Sequence, residues 1–346
     1  MVLATSDRVL VTTHNRDDQV ARDRDELRAA LQRSPREIPS RYFYDERGSW
    51  LFERITRLPE YYQTRTEHAL LRAIADRVAA SSRASQLVEI GSGAATKTRV
   101  LIDALARTGR LRLYVPVDVA ESSVRRVAEE LTAEYPELAV HGIVADFNDD
   151  LSPLPPLEPA DGESPGRGGG PAAGGGGRLV IFLGGTIGNL RPEEARDFLS
   201  LRRSEMAPGD HFLLGVDLVK DVARLEAAYN DAAGVTAEFN RNILLVANDV
   251  AAVGDFDPAA FSHRAFWDAQ KRWIEMRLRS DRRQQVHLPA LGLELDLAAG
   301  EEIHTEISAK YDRASAEALL GGAGFEPVEW FTDPERLFGL VLARHP

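Results

Sequence analysis

The string Val88-Glu89-Ile90-Gly91-Ser92-Gly93, an apolar run ending in two glycines, has the makings of a nucleoside site. Without a Cβ, glycine lets the backbone approach a ligand closely and lets the following helix start tightly. Alone the pattern is weak. Glu89 just before the glycines and Asp118 at the end of the next apolar run, RLYVPVD, make it more informative. Both carboxylates are expected at the carboxyl edge of a sheet, where open α/β folds bind nucleosides. An acidic side chain there accepts both ribose hydroxyls and favours an adenosine with a free 2′-hydroxyl, so NAD and S-adenosylmethionine (SAM) both qualify. The following run, LAVHGIVAD, leads into Asp146-Phe147. That pair suits adenine, the carboxylate for the exocyclic amine and the ring for the base face.

The elements that must hold these residues show in the alternation of short β-branched runs with amphipathic stretches from Gln86 onward. This is the pattern of a parallel sheet covered by helices on both faces. Strands are expected at QLVEI near residue 88, in the runs ending at Asp118 and Asp146, in RLVIFLG ending at Gly184 and in HFLLGVD ending at Asp217. Helices are expected over about 96–106, 122–134 and 192–206, the last opened by Pro192 and closed by Pro208-Gly209. Residues 221–248 read as two helices. Beyond them, 272–279, 293–297 and 302–311 read as antiparallel strands, followed by a helix over 315–320 and a strand pair, 327–331 and 337–343, that returns to the first sheet. Before Glu60, a helix carrying Val20, Leu27 and Leu31 precedes the aromatic string RYFYDERGSWLFERITRLPEYY.

The expected architecture is therefore α/β: a doubly wound, Rossmann-like sheet with a second, α+β domain. Residues 61–219 plus 310–346 would form the nucleoside-binding domain, and 1–60 plus 220–309 a discontinuous substrate-binding domain. Residues 151–177, PLPPLEPADGESPGRGGGPAAGGGG at their centre, read as a flexible surface loop too rich in Pro and Gly to bury a core. A phosphate-cradling loop would need a turn between strand and helix, and this run precedes a strand.

Composition narrows the chemistry. At 346 residues the chain exceeds the size at which single cores usually stop growing, and 44% hydrophobic content can supply two. A formal charge of −12 without a long basic run disfavours a nucleic-acid partner. The absence of cysteine excludes disulfides, thiolate nucleophiles and cysteine metal sites. Among the eight histidines only His304, with Glu302 and Glu306, is spaced to share a strand face, and no metal is expected. No apolar run reaches signal-peptide or membrane-span length, so a cytoplasmic monomer without membrane partners is expected.

The three-strand set resembles class I SAM-dependent methyltransferases. A dinucleotide enzyme would more often carry a third glycine where this chain has Thr96, and no hydride-transfer site is evident. The strings YFYDERGSWLFERITRLPEYYQTRTE, VEIGSGAATKTR, FLGGTIGNL, DLVKD, YNDAAGVTAEFNRN and GEEIHTEISAKY make the likeness specific. From about Pro39 to Ala343 the chain resembles the histidine Nα-methyltransferases of ergothioneine biosynthesis, which make trimethylhistidine (hercynine) from L-histidine. The resemblance implies SAM as cofactor, held by Gly91, Lys97, Asp118, Asp146 and Phe147, with Gly184 beside both ligands. For histidine it implies Tyr61, Asn189, Tyr229, Glu306 and Ser308, with Tyr44 and Met276 at further pocket positions. The glycine-rich insertion, Trp50 and Ala94 depart from the family pattern, none at a position assigned to substrate.

These residue types suit the chemistry. Glu306 and Ser308 lie two apart on an expected strand, so both point toward one ligand edge. An imidazole N–H can donate to the carboxylate while the other ring nitrogen meets the hydroxyl; the plain alternative is a solvated strand face. Asn189 opens a helix where its amide can meet a substrate carboxylate, or is simply a cap. Tyr229 can add a phenolic hydrogen bond to that carboxylate, while Tyr229, Tyr44 and Tyr61 equally suit half-buried packing. Methyl transfer is an in-line displacement at a sulfonium carbon, so the protein must position a neutral amine and exclude water. Tyr44 is the expected group for orienting the amine and relaying its protons. Rival readings are the same fold acting on another amino acid, and a SAM-binding regulator without chemistry.

Overall fold

The computed structural model describes residues 8–13, 19–146, 148–156 and 176–346. In chain order the strands are β1 (Val9–Thr13), β2 (Arg36–Glu37), β3 (Ala84–Ile90), β4 (Leu113–Asp118), β5 (Ala139–Val144), β6 (Gly177–Phe182) and β7 (His211–Asp217). There follow β8 (Phe261–Asp268), β9 (Trp273–Ser280), β10 (Gln284–Leu288), β11 (Leu293–Leu297), β12 (Glu302–Ala309), β13 (Glu326–Thr332) and β14 (Phe338–Arg344). The helices are α1 (Gln19–Leu31), α2 (Glu46–Ile55), α3 (Gln63–Ser82), α4 (Arg99–Arg107), α5 (Glu121–Glu134), α6 (Pro192–Ser204), α7 (Val222–Ala227), α8 (Val235–Val250) and α9 (Arg313–Gly322).

Eight strands form one sheet in the order β1-β5-β4-β3-β6-β7-β14-β13, parallel except for the final hairpin. The order reverses between β3 and its two neighbours β4 and β6, which opens a crevice at the carboxyl ends of the strands, where such sheets bind ligands. This is the Rossmann-like class I methyltransferase arrangement. The central strands are buried along nearly their whole length, as a sheet covered on both faces requires.

A second sheet, β2-β12-β9-β8, packs against α8. One hydrophobic cluster unites Leu27, Leu31, Tyr42, Phe43 and Leu51 from the early chain with Phe239, Ile243, Leu278 and Ile303 from the late chain. Two local features start its helices: Asp45 caps α2 by accepting the Gly48 N–H at 2.6 Å, and Asp221 caps α7 by accepting the Arg224 N–H at 3.0 Å.

Three expectations are corrected. β1, inside the 1–60 stretch assigned to the substrate-binding domain, extends the large sheet beside β5, so the earliest described residues part company with the rest of 1–60. Residues 151–156 of the expected surface loop are anchored: Leu151 and Leu154 enter the core around Ile143 and Phe198, and the Pro155 carbonyl accepts from Gln86 and Arg178. Leucines set among the prolines supply the apolar surface for this anchoring, and residues 157–175 of the expected loop lie outside the described residues. Third, Glu302, His304 and Glu306 do not share a face. β12 pairs His304 with Arg277 and Glu306 with Met276, leaving Thr305 as an extra residue. That bulge reverses the alternation beyond it.

Candidate active site

The nucleoside end is built on the β3–α4 connection. Gly91 (φ +71°) and Gly93 (φ +48°) take a backbone conformation that disfavours side chains, and a Cβ at either would meet nothing within 4 Å, so open space lies over the turn. Asp118 Oδ2 accepts the Gly93 N–H at 2.8 Å and its Oδ1 the Ala120 N–H at 3.0 Å, leaving a lone pair on each oxygen for ligand hydroxyls. Asp146 Oδ1 accepts from the Asn148 backbone and amide at 2.9 and 3.0 Å, while its Oδ2 lies 3.7 Å from Arg41 Nη1 of the early chain. Phe147 lies outside the described residues.

Glu89 departs from expectation. Its carboxyl is buried between the hydroxyls of Thr98 and Tyr114, and burial lifts its pKa to about 7 even against those two hydrogen bonds. It braces the strand beneath the turn, with one hydroxyl bonded to each carboxyl oxygen.

Lys97 is tied to Glu67, whose Oε1 accepts the Gly184 N–H at 2.7 Å. Gly184 (φ +81°) is hemmed in, since a Cβ would lie 3.2 Å from Thr186 Oγ1 and 3.7 Å from Lys97 Nζ. The open glycine turn, the carboxylate at the end of β4 and the buried, unpartnered Oγ of Ser92 fit the adenosine of SAM. Gly184 carries that crevice into an adjoining cavity.

This cavity brings together Tyr44, Tyr61, Gly184, Asn189, Tyr229, Met276, Glu306 and Ser308, drawn from widely separated parts of the chain. About 590 Å³ of non-protein space, part of it open to solvent, suits an amino acid rather than a polymer. The bulge at Thr305 explains why Glu306 faces it. Ile303, Glu306 and Ser308 stand opposite Leu278, Met276 and Ile274 on the inner face, whereas His304 turns outward toward Glu275, 3.9 Å away. Among the described residues no cluster suited to a metal is present.

Electrostatics sharpen the roles. Burial raises the Glu306 carboxyl to about 8, outweighing the lowering by Lys310. Tyr44, Phe52 and Phe239 make edge contacts at ring separations of 5.8 and 5.9 Å. Tyr44 lines the cavity and keeps 38% of its surface exposed; burial of its hydroxyl, then Glu306, Tyr229 and Asp118, hold its pKa far above that of a free phenol. It therefore stays a neutral phenol. The carboxyl of Asp217, buried at the cavity floor, would be raised by burial, but Lys310 and Lys220 hold it below the ordinary value.

Sequence reasoning missed this floor. Lys310, fully buried, donates to Ser308 Oγ at 2.7 Å and Tyr229 Oη at 2.9 Å and lies 2.9 Å from Asp217 Oδ2. Tyr62 donates to Asp217 at 2.8 Å and accepts from Lys220 at 2.6 Å. Gln63 points its amide nitrogen toward Asp217 at 3.5 Å, leaving its buried carbonyl oxygen without a partner. Lys310 had a signal, being the next inward position after Glu306 and Ser308, and Asp217, like Asp118, ends a strand at the carboxyl edge. Glu67, 30 residues from its partner Lys97, gave none.

The comparisons agree with this geometry. The family model described as histidine-specific methyltransferase, SAM-dependent, matches residues 23–345. The chain is 45% identical over 338 residues to the histidine N-alpha-methyltransferase of Mycobacterium tuberculosis, covering 97% of this chain and 99% of that one. It is 44% identical over 320 residues to the protein of the same name from Mycolicibacterium smegmatis, covering 92% and 94%. Ergothioneine biosynthesis protein 1 of Neurospora crassa is 29% identical over 323 residues, 89% of this chain and 33% of that protein. With the family match spanning nearly the whole chain, this protein belongs to the histidine-specific, SAM-dependent methyltransferases.

Proposed function

We propose that the protein transfers methyl groups from SAM to the α-amino group of L-histidine, successively giving Nα,Nα,Nα-trimethyl-L-histidine for ergothioneine biosynthesis. One observation carries the choice of amino acid: the buried carboxyl of Glu306 beside Ser308 on one strand face of an amino-acid-sized cavity. An imidazole satisfies both groups, and a side chain without ring nitrogens leaves the buried Glu306 carboxyl without its partner, at a cost of about 1–3 kcal/mol. The names of the two mycobacterial relatives and of the Neurospora protein support the same reading.

Bound SAM supplies an electrophilic methyl on its sulfonium. Gly91 and Asp118 hold the nucleoside, Asp146 and Phe147 the adenine, and Lys97, through Glu67, braces the Gly184 turn between the two ligands. Glu306 and Ser308 take the imidazole, Asn189 and Tyr229 the carboxylate, while Tyr61 and Met276 wall the pocket. Tyr44, a phenol at all working pH values, accepts an amine N–H in the first two transfers and so aims the nitrogen lone pair, while in the third its ring and hydroxyl only confine the tertiary amine; its role is orientation and proton passage rather than action as a phenolate base. The rings of Tyr44, Tyr61, Phe52 and Phe239 exclude water and tolerate the quaternary cation produced.

In this reading the early chain up to residue 60, apart from β1, joins 220–309 as a substrate-binding domain over the SAM-binding remainder, a division supported by their shared hydrophobic cluster. Among the described residues no helix is long and apolar enough to cross a membrane. We take the working form to be a cytoplasmic monomer with no nucleic-acid or membrane partner, checked by sedimentation and cell fractionation. The function itself is tested by incubating the protein with SAM and each of the twenty amino acids and weighing the products. Mono-, di- and trimethylhistidine alone support it; methylation of a different amino acid sinks the histidine assignment.

A further inference from the structure

The hydroxyls of Tyr229 and Ser308 lie 2.7 Å apart, and Lys310 Nζ contacts both. An ammonium has three hydrogens and no acceptor, so Lys310 donates at each contact, and its third hydrogen goes to Asp217. Neither hydroxyl can pass its own hydrogen to Lys310. The pair has two hydrogens, and its mutual bond consumes one. A single hydrogen remains for whatever occupies the cavity, while two substrate groups call for it: the unprotonated ring nitrogen at Ser308 and the carboxylate at Tyr229.

We propose that this pair, closed from behind by Lys310, couples recognition of the imidazole to recognition of the carboxylate, because it has one hydrogen to give and two acceptors to serve. If Tyr229 donates to Ser308, Ser308 donates to the ring nitrogen. If Ser308 donates to Tyr229, Tyr229 donates to the carboxylate. All three side chains are buried, so substrate filling the cavity displaces the water that could supply a substitute donor. Lys310 and Asp217 are positioning residues here, since the three hydrogens of Lys310 are taken by the pair and by Asp217. The inference rests on the histidine reading above.

The consequence is a particular non-additivity. Removing either hydroxyl frees the other's hydrogen for substrate, so each single loss is cushioned; removing both is not. The test is a four-protein cycle of wild type, Tyr229→Phe, Ser308→Ala and the double variant, each saturated with S-adenosylhomocysteine, with L-histidine affinity read by calorimetry. The double variant should lose at least about fivefold more affinity than the product of the single losses. Repeating the cycle with histamine, which lacks the carboxylate, should bring that excess close to one. A merely structural role for the hydroxyls would give the same excess with both ligands. Losses that simply multiply for histidine, or an equal excess for histamine, would overturn the coupling while leaving the histidine reading intact. Failure of the wild-type protein to bind histidine at all would instead sink that reading.

Discussion

The ammonium of Lys310 lies 2.9 Å from Oδ2 of Asp217, with side-chain exposures of 0% and 3%. Asp217 also meets Lys220, so two buried cations share one carboxylate. Asp217→Asn puts a neutral amide in its place and leaves both cations uncompensated, which should cost about 3–5 kcal/mol, read as a lowered midpoint in urea unfolding. The pH dependence has a definite sign. The folded pKa of Asp217 is depressed below 3.8, so its contribution is present at neutral pH and is lost as pH falls below about 4 through the folded value.

Glu306 behaves oppositely. Its folded pKa, about 8, stands above the ordinary 4.5, so the folded state binds the proton more tightly and loses stability as pH rises between those values. In the protein without substrate, Glu306→Gln should therefore raise Tm more at pH 9 than at pH 5. The same variant should lose about a hundredfold in kcat/KM for histidine, because the amide cannot ionise to become the charged acceptor of the imidazole N–H. An equal Tm change at both pH values would show that Glu306 does not titrate in this range.

Tyr44 offers a separation of roles. Tyr44→Phe keeps the ring packed against Phe52 and Phe239 and removes only the hydroxyl. Turnover should drop about tenfold or more, with SAM affinity unchanged by calorimetry. Unchanged turnover would remove Tyr44 from the mechanism.

At Gly184 the backbone itself is tested. Gly184→Ala forces a Cβ into the positive-φ region and within 3.2 Å of Thr186 Oγ1. The strain is on the order of 1–3 kcal/mol, and because the turn adjoins both ligands, SAM affinity should fall along with Tm. A fall in Tm with intact SAM affinity would detach the turn from the cofactor.

How far the sequence foretold this site depends on what kind of information each residue carries. The runs ending at Asp118 and Asp217 follow local periodicity, and the structure has strands ending at both. The return of β13 and β14 to the large sheet was likewise legible from the change of pattern late in the chain. β1 and β8, by contrast, were not read: β1 is short and half-exposed, and β8 mixes His263, Arg264 and Asp268 among its apolar residues. Glu89 misled because its sequence position gives the strand end but not which way the carboxyl turns, and Thr98 and Tyr114 claim it. Glu67 serves Lys97 and Gly184, partners distant in the chain, a relationship no local spacing records.

The extra residue at Thr305 gives the second sheet something akin to a reading frame. With Thr305 held by Asn240 at 2.7 Å outside the ladder, everything after it is displayed in one phase, and Glu306 and Ser308 look inward. Were Thr305 to take a rung of its own, Thr305 and Ile307 would look inward instead, and the same letters would spell a cavity without its carboxylate. Substrate choice in this architecture is thus open to change by the phase of a strand, without altering a single side chain that touches the ligand.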